Sequence, residues 1–192
     1  MTEVLLGTRE RLLRSAREVI EDGGYGQASV AAIAERAGVA TGTLYRHFAS
    51  KEELFVELFR SVCSGEERAM REAIPATGGG VERLQAILGT FARRALRNPR
   101  LAWALIAEPV DQRVDAERLY YRERYAEIVA EALADAIAAG EIPAQDVRFT
   151  AAALVGGCGE ALVGPLSPLG GEPASDHVVA ALESFVRRAV GA

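Results

Sequence analysis

Apolar residues recur along this chain at intervals of three and four, the spacing of helical faces, and no period of two persists long enough to read as a strand. Leu12, Leu13, Ala16, Val19 and Ile20 predict a first helix over Thr8 to Ile20, ended by Gly23-Gly24. Val30, Ile33, Ala34 and Ala37 form a second, shorter stripe, with Ser29 placed to cap its start and Gly38 to close it. A third begins at Thr41, read as its cap, and is anchored by Leu44 and Phe48, four residues apart. That spacing turns Thr43, Tyr45, Arg46 and His47 outward. Ser50-Lys51-Glu52-Glu53 reads as a capping box, the Ser50 hydroxyl taking the Glu53 amide and the Glu53 carboxylate returning to the amide of Ser50. The helix it opens carries Leu54, Phe55, Leu58, Phe59 and Val62 toward Arg68 or beyond.

The run from Ile74 to Gly80, with one proline and three glycines, is the clearest interruption. Beyond it, Leu84, Ile87, Leu88, Phe91 and Ala95 predict a helix over Val81 to Leu96, stopped by Asn98-Pro99. A short helix from Arg100 to Ala107 precedes Pro109. From about Asp111 to Ala139 runs the longest helix, with Val114, Tyr121, Tyr125, Ile128, Ala132 and Ala136 on one face and Arg118 among them. Asp146 is placed to cap the next, FTAAALVGGCGEALVG, whose only charge is Glu160. Its density of Ala and Gly permits close helix approach, in a buried helix or a subunit interface. The stretch from Pro165 to Gly171 reads as a break. A final helix, Ala174 to Val190, turns Val178, Leu182, Phe185 and Ala189 inward.

The fold class is therefore all-α. The 192 residues suffice for a sizeable core, and 49% hydrophobic with 26% charged residues describe a globular chain. No apolar run reads as the ~20 residues of a bilayer span, and the opening MTEVLLGTRERLL is charged too early for a signal peptide, so the expected location is cytoplasmic, with no membrane partner. Cys63 and Cys158 lack a CxxC spacing and are expected as buried free thiols, with no metal site and no cofactor.

Two helices joined by a tight turn with glycine, the second short and polar outward, form the helix-turn-helix pattern that sets a recognition helix in the DNA major groove. Hydroxyls, a guanidinium and an imidazole suit phosphates and base edges, and Gly42 lets backbone come close. A net charge of -5 argues against unspecific coating of nucleic acid, yet residues 29–51 hold Arg36, Arg46 and Lys51 against Glu35 alone, and Arg9, Arg11, Arg14 and Arg17 are placed to add to them.

The run from Ala37 to Phe48, followed by Ser50-Lys51-Glu52-Glu53-Leu54, resembles the N-terminal domain of TetR-family transcriptional regulators. The resemblance implies phosphate contacts for Thr43, His47 and Lys51, a backbone or base contact for Tyr45, a backbone contact for Ser29, and tuning of sequence preference by Thr41, Gly42 and Arg46. Ala31 stands where some members carry a long base-reading side chain, which leaves more of the specificity to the recognition helix. It further implies a helix-turn-helix domain over 1–50, a linking helix over about 50–73, and a ligand-binding and dimerisation domain over 74–192. The last two helices would then pair with a second copy as a four-helix bundle, and Ala153, Gly156, Gly157, Leu182 and Phe185 are the candidates for that interface.

The resemblance places a small-molecule pocket in the same half, where Phe91, Trp103, Tyr121, Tyr125 and Phe149 concentrate aromatic side chains. Arg118 and Glu160 join them as candidates, because a charge on an apolar face must be paired, hydrated or used: they meet each other or Glu108, Arg118 reaches out to solvent, or they anchor a ligand. The expected function is a ligand-responsive regulator, a repressor that binds a palindromic double-stranded operator as a homodimer and is released by a small, largely hydrophobic or aromatic effector. The alternative is a DNA-binding dimer without an effector. An enzyme is not expected: there is no HExxH and no nucleotide-binding glycine loop, and His47 and His177 are the only histidines.

Overall fold

The computed structural model describes residues 7–170 and 175–192, and every regular element among them is helical. In chain order these are α1 (Thr8–Gly23), a 3-10 turn (Tyr25–Gln27), α2 (Val30–Arg36), α3 (Thr41–His47), α4 (Lys51–Glu72), α5 (Gly80–Arg97), α6 (Pro99–Ile106), α7 (Gln112–Ala138), α8 (Val147–Leu166) and α9 (Ser175–Ala189).

Four side chains satisfy first-turn amides that the helices leave unpaired: Ser29 accepts from Ala32, Ser50 from Glu53, Asp111 from Arg113 and Asp146 from Phe149. Two expected caps are corrected. Thr41 is the first residue of α3, with Ala40 at the cap and no side-chain bond there. The Glu53 carboxylate accepts from the amide of Ala49 at 2.7 Å, not from Ser50, so the box closes one residue further out. Gly38 turns the chain between α2 and α3 at a φ of 65°, where a β-carbon would be strained.

One contiguous core runs from Leu12 in α1 to Val186 and Val190 at the C-terminal end. Leu44 and Phe48 are fully buried in it and hold α3 against α1 and α2. α4 packs on α1 at one end and on α5 and α7 further along, which makes it a shared wall of both halves. α5 begins in tight contact with α7, since a β-carbon on Gly80 would lie 2.4 Å from that of Ala136. On the expected inward face of α7, Val114, Tyr121, Tyr125, Ile128, Ala132 and Ala136 are buried and Arg118 is half-buried.

Three expectations about the C-terminal helices change. α8 continues through Pro165 to Leu166, because a proline's fixed φ is helical and its missing amide costs only one bond in a last turn. α8 is also long and apolar enough to cross a bilayer by length and composition, contrary to the reading that no segment is. Only 28% of its apolar window is buried within the chain. In α9 the buried row is Val179, Leu182 and Val186, while Val178 is half-buried and Phe185 and Ala189 are exposed. Val178-Val179 and Phe185-Val186 offer two adjacent apolar rows, and the pattern alone does not choose which meets α5. Gly171 and Ala174 lie outside the described residues.

Candidate nucleic-acid interface and ligand cavity

With Leu44 and Phe48 buried, the other residues of the seven-residue α3 face outward. Thr41, Gly42, Arg46 and His47 are exposed, Tyr45 is 53% exposed and Thr43 is half-buried. Arg46 Nη2 donates to Thr43 Oγ1 at 3.0 Å, one turn back along the helix, so these two groups are held together before any ligand arrives. Nothing lies within 4 Å of where a β-carbon on Gly42 would point. Ser29 is exposed at the start of α2, and its oxygen accepts from Ala32 while its proton stays free for an outside acceptor.

Lys51, at the first position of α4, places its ammonium 5.3 Å from the centre of the Tyr25 ring and 5.2 Å from that of Phe55. Such contacts are worth about 0.5–1 kcal/mol at exposed sites, little enough for a phosphate to reclaim the charge. Of the four α1 arginines expected to add positive charge, Arg11 makes no ion pair among the described residues and the other three are neutralised. Arg9 pairs with Glu57, Arg14 with Glu18 at 3.8 Å and Arg17 with Glu21 at 2.7 Å, and Arg36 of α2 pairs with Asp22 at 2.5 Å. The outward surface of α3 therefore offers directed hydrogen bonds more than a broad positive field.

A cavity of about 350 Å³ opens between α4, α5, α6, α7 and α8, with Arg17 of α1 at its edge. Phe59, Phe91, Tyr121 and Tyr125 form a chain of rings along its wall, with centroids 5.8 to 6.2 Å apart. Both phenols are tied to α4: Tyr125 Oη donates to the Cys63 carbonyl at 3.1 Å, and Tyr121 Oη lies 2.8 Å from Ser64 Oγ. Burial raises both phenol pKa values and pushes the Cys63 thiol up to about 12. Cys63, on the same wall, is thus a neutral apolar group rather than a nucleophile. Leu101, Ala102, Leu105 and Ile106 bring α6 into the wall, and Gly159 opens space from α8.

Of the residues expected in the pocket, Phe91, Arg118, Tyr121 and Tyr125 line it. Trp103 is half-buried on α6 but outside the lining. Phe149, 74% exposed in the first turn of α8, and Glu160, exposed further along it, are also outside, because the face of α8 turned to the cavity is that of Val155 and Gly159. Arg118 neither meets Glu160 nor bonds the Glu108 carboxylate. Its guanidinium, 13% exposed, donates to the carbonyls of Ala104 and Leu105 at 2.8 Å and of Glu108 at 2.6 Å, and pairs with Asp115 at 2.7 Å. It caps the end of α6 from α7.

The sequence reading missed how α6 is fastened. Glu108 Oε2 and Oε1 accept from the amides of Tyr25 and Gly26 at 3.0 and 3.1 Å. At the other end of α6, Asn98 donates to Glu21 at 2.6 Å and Arg100 to the Asp22 carbonyl. A wall of the cavity is thereby bonded at both ends to the chain segment that leads into α2. Also missed were the charged lining residues Arg17, Glu66, Arg94, Arg97 and Arg122, because each falls on the polar face of its helix.

On the outer surface of α8 and α9, Ala153 and Gly156 are exposed, Gly157 lies under the ring of Phe185, and Phe185 is 43% exposed. Leu182, expected at a subunit interface, is instead buried within the chain.

Residues 12–58 match the family described as bacterial regulatory proteins, tetR family, and residues 77–162 match the tetracyclin repressor-like C-terminal domain. The HTH-type transcriptional repressor KstR of Mycobacterium tuberculosis is 33% identical over 139 residues, covering 72% of this chain and 61% of that protein. The HTH-type transcriptional regulator UidR of Escherichia coli is 34% identical over 134 residues, covering 58% of this chain and 67% of that protein. Among solved structures, the transcriptional regulator FadR from Bacillus subtilis in complex with stearoyl-CoA aligns with a TM-score of 0.77 at 25% identity, covering 95% of this chain and 97% of that one. The chain spans about half the length of the curated relatives it matches first.

Proposed function

Because the chain belongs to the TetR family of bacterial regulatory proteins, we propose that it is a cytoplasmic transcriptional repressor that binds a palindromic operator as a homodimer and releases it when a small hydrophobic effector fills the cavity. The observation that carries this reading is α3, fixed by Leu44 and Phe48 with its hydrogen-bonding groups turned to solvent. In this division of labour residues 1–50 touch DNA, about 50–73 transmit, and 74–192 bind the effector and the second copy. Thr43, His47, Lys51 and Ser29 hold phosphates, while Tyr45, Arg46, Thr41 and Gly42 meet the groove.

The second copy packs on the apolar surface of α8 and α9 around Ala153, Gly156, Gly157 and Phe185. A symmetric dimer sets two recognition helices about one DNA turn apart, ~34–36 Å, and so reads two half-sites. The ring-lined cavity supports an apolar effector, and the stearoyl-CoA held by the FadR relative is consistent with one. An occupant that pushes on Leu101 or Leu105 displaces α6, and through Glu108 the segment before α2. A ligand favouring the displaced geometry lowers operator affinity by its coupling energy, typically ~1–3 kcal/mol.

The test is selection of bound DNA from a random pool by the full chain and by its Thr43→Ala and Arg46→Ala variants. The expected product is an inverted repeat whose preference weakens in both variants. A pool that stays random, or an identical preference in all three proteins, would contradict the assignment of α3.

A further inference from the structure

The cavity has an uneven charge. Its interior is aromatic and aliphatic, yet its lining includes five arginines, Arg17, Arg94, Arg97, Arg118 and Arg122, against Glu66 as the sole acid, in a chain whose net charge is -5. Three of the five are occupied. Arg17 holds Glu21, Arg94 holds Glu66 through two bonds of 2.6 and 3.0 Å, and Arg118 holds carbonyls of α6. Arg97, at the end of α5, and Arg122, on α7, are exposed and make no ion pair among the described residues. Two unneutralised guanidiniums beside one apolar opening are matched by an anion, which each can grip with paired N–H donors. At about 350 Å³ the cavity is near the lower limit for ligand pockets, so a long apolar body fills it and leaves a polar end at the entrance.

We propose that the effector is an amphiphile whose apolar body enters the ring-lined interior and whose anionic head group is held at the entrance by Arg97 and Arg122. This rests on the reading of the cavity as the effector site. The head is a carboxylate or the phosphates of a carrier to which the apolar body is joined; both present the charge that the two arginines lack.

Three probes with one tail separate the possibilities: palmitoyl-coenzyme A, palmitate and the uncharged palmityl alcohol, each titrated below its aggregation limit against the full chain and the Arg97→Gln/Arg122→Gln double variant. Charge-assisted bonds to two guanidiniums give the anionic probe at least about a tenfold tighter Kd than the alcohol. In the double variant that advantage collapses while the alcohol binds as before, and added salt erodes the advantage in the unaltered chain without touching the alcohol. Advantage for palmitoyl-coenzyme A alone identifies phosphates, and for palmitate as well a carboxylate; either supports the proposal. Equal binding of charged and uncharged probes, or an advantage that survives the double substitution, overturns it while leaving the cavity reading intact. Failure of all three to bind overturns both.

Discussion

Gly42 sits within a helix, where glycine costs about 1 kcal/mol relative to alanine, and no neighbouring atom needs the space its missing side chain leaves. Under the proposed function the open space faces DNA. Gly42→Leu should therefore raise the stability of the protein, by up to about 1 kcal/mol in chemical denaturation, and weaken operator binding at least tenfold in a fluorescence-anisotropy titration. A variant that is more stable and binds undiminished would remove the close approach of backbone to the groove. At this scale the sequence is informative where one helix decides the outcome. Leu44 and Phe48 are read as anchors from their spacing, and the same spacing exposes Tyr45 and Arg46. It fails where the partner lies on another element: Lys51 rests on Tyr25, and Arg118, besides pairing with Asp115, donates to the carbonyls of Ala104, Leu105 and Glu108. No periodicity carries that information.

Among the elements, α4 packs on α1 as well as on α5 and α7, and the linking role proposed for it rests on those contacts. α6 was legible only as a short helix between prolines. Its fastening at both ends to the end of α1 and the turn beyond depends on Glu108, Asn98 and Arg100 meeting residues some eighty positions away. Replacing Glu108 by alanine frees the amides of Tyr25 and Gly26 and cuts the bond at one end. Because Glu108 does not line the cavity, Glu108→Ala should leave the effector's contacts intact, and with less to displace the effector should bind no more weakly. The effector's influence on operator affinity, expected at about 5–150-fold in the unaltered protein, should shrink toward none. Paired titrations of effector and operator measure both quantities. An unchanged influence would move transmission to α4 alone. The one-residue shift of the buried row of α9, which keeps Leu182 inward, is a failure of the same origin, since two neighbouring apolar rows compete and only packing selects between them.

For the molecule as a whole, the order of helices, the break after α4 and the all-helical class follow from periodicity and from glycine and proline. The cavity does not, because its lining comes from six helices that interleave. The exposed apolar surface of α8 and α9, proposed for the second copy, was half-legible. The low charge of α8 marks it for contact with something apolar, and the same composition passes the length and hydropathy test for a bilayer span. A second copy of α8 and α9 laid over Ala153, Gly156 and Phe185 would cover that surface, and it would also set the two α3 helices at a fixed separation. That separation is the central claim, and half-site spacing tests it most directly. On a selected operator, inserting about five base pairs between the half-sites rotates one by half a turn. Affinity should then fall to that of a single half-site and recover in part when the insertion is a full turn of about ten. Affinity indifferent to the insertion would contradict a rigid pair of recognition helices.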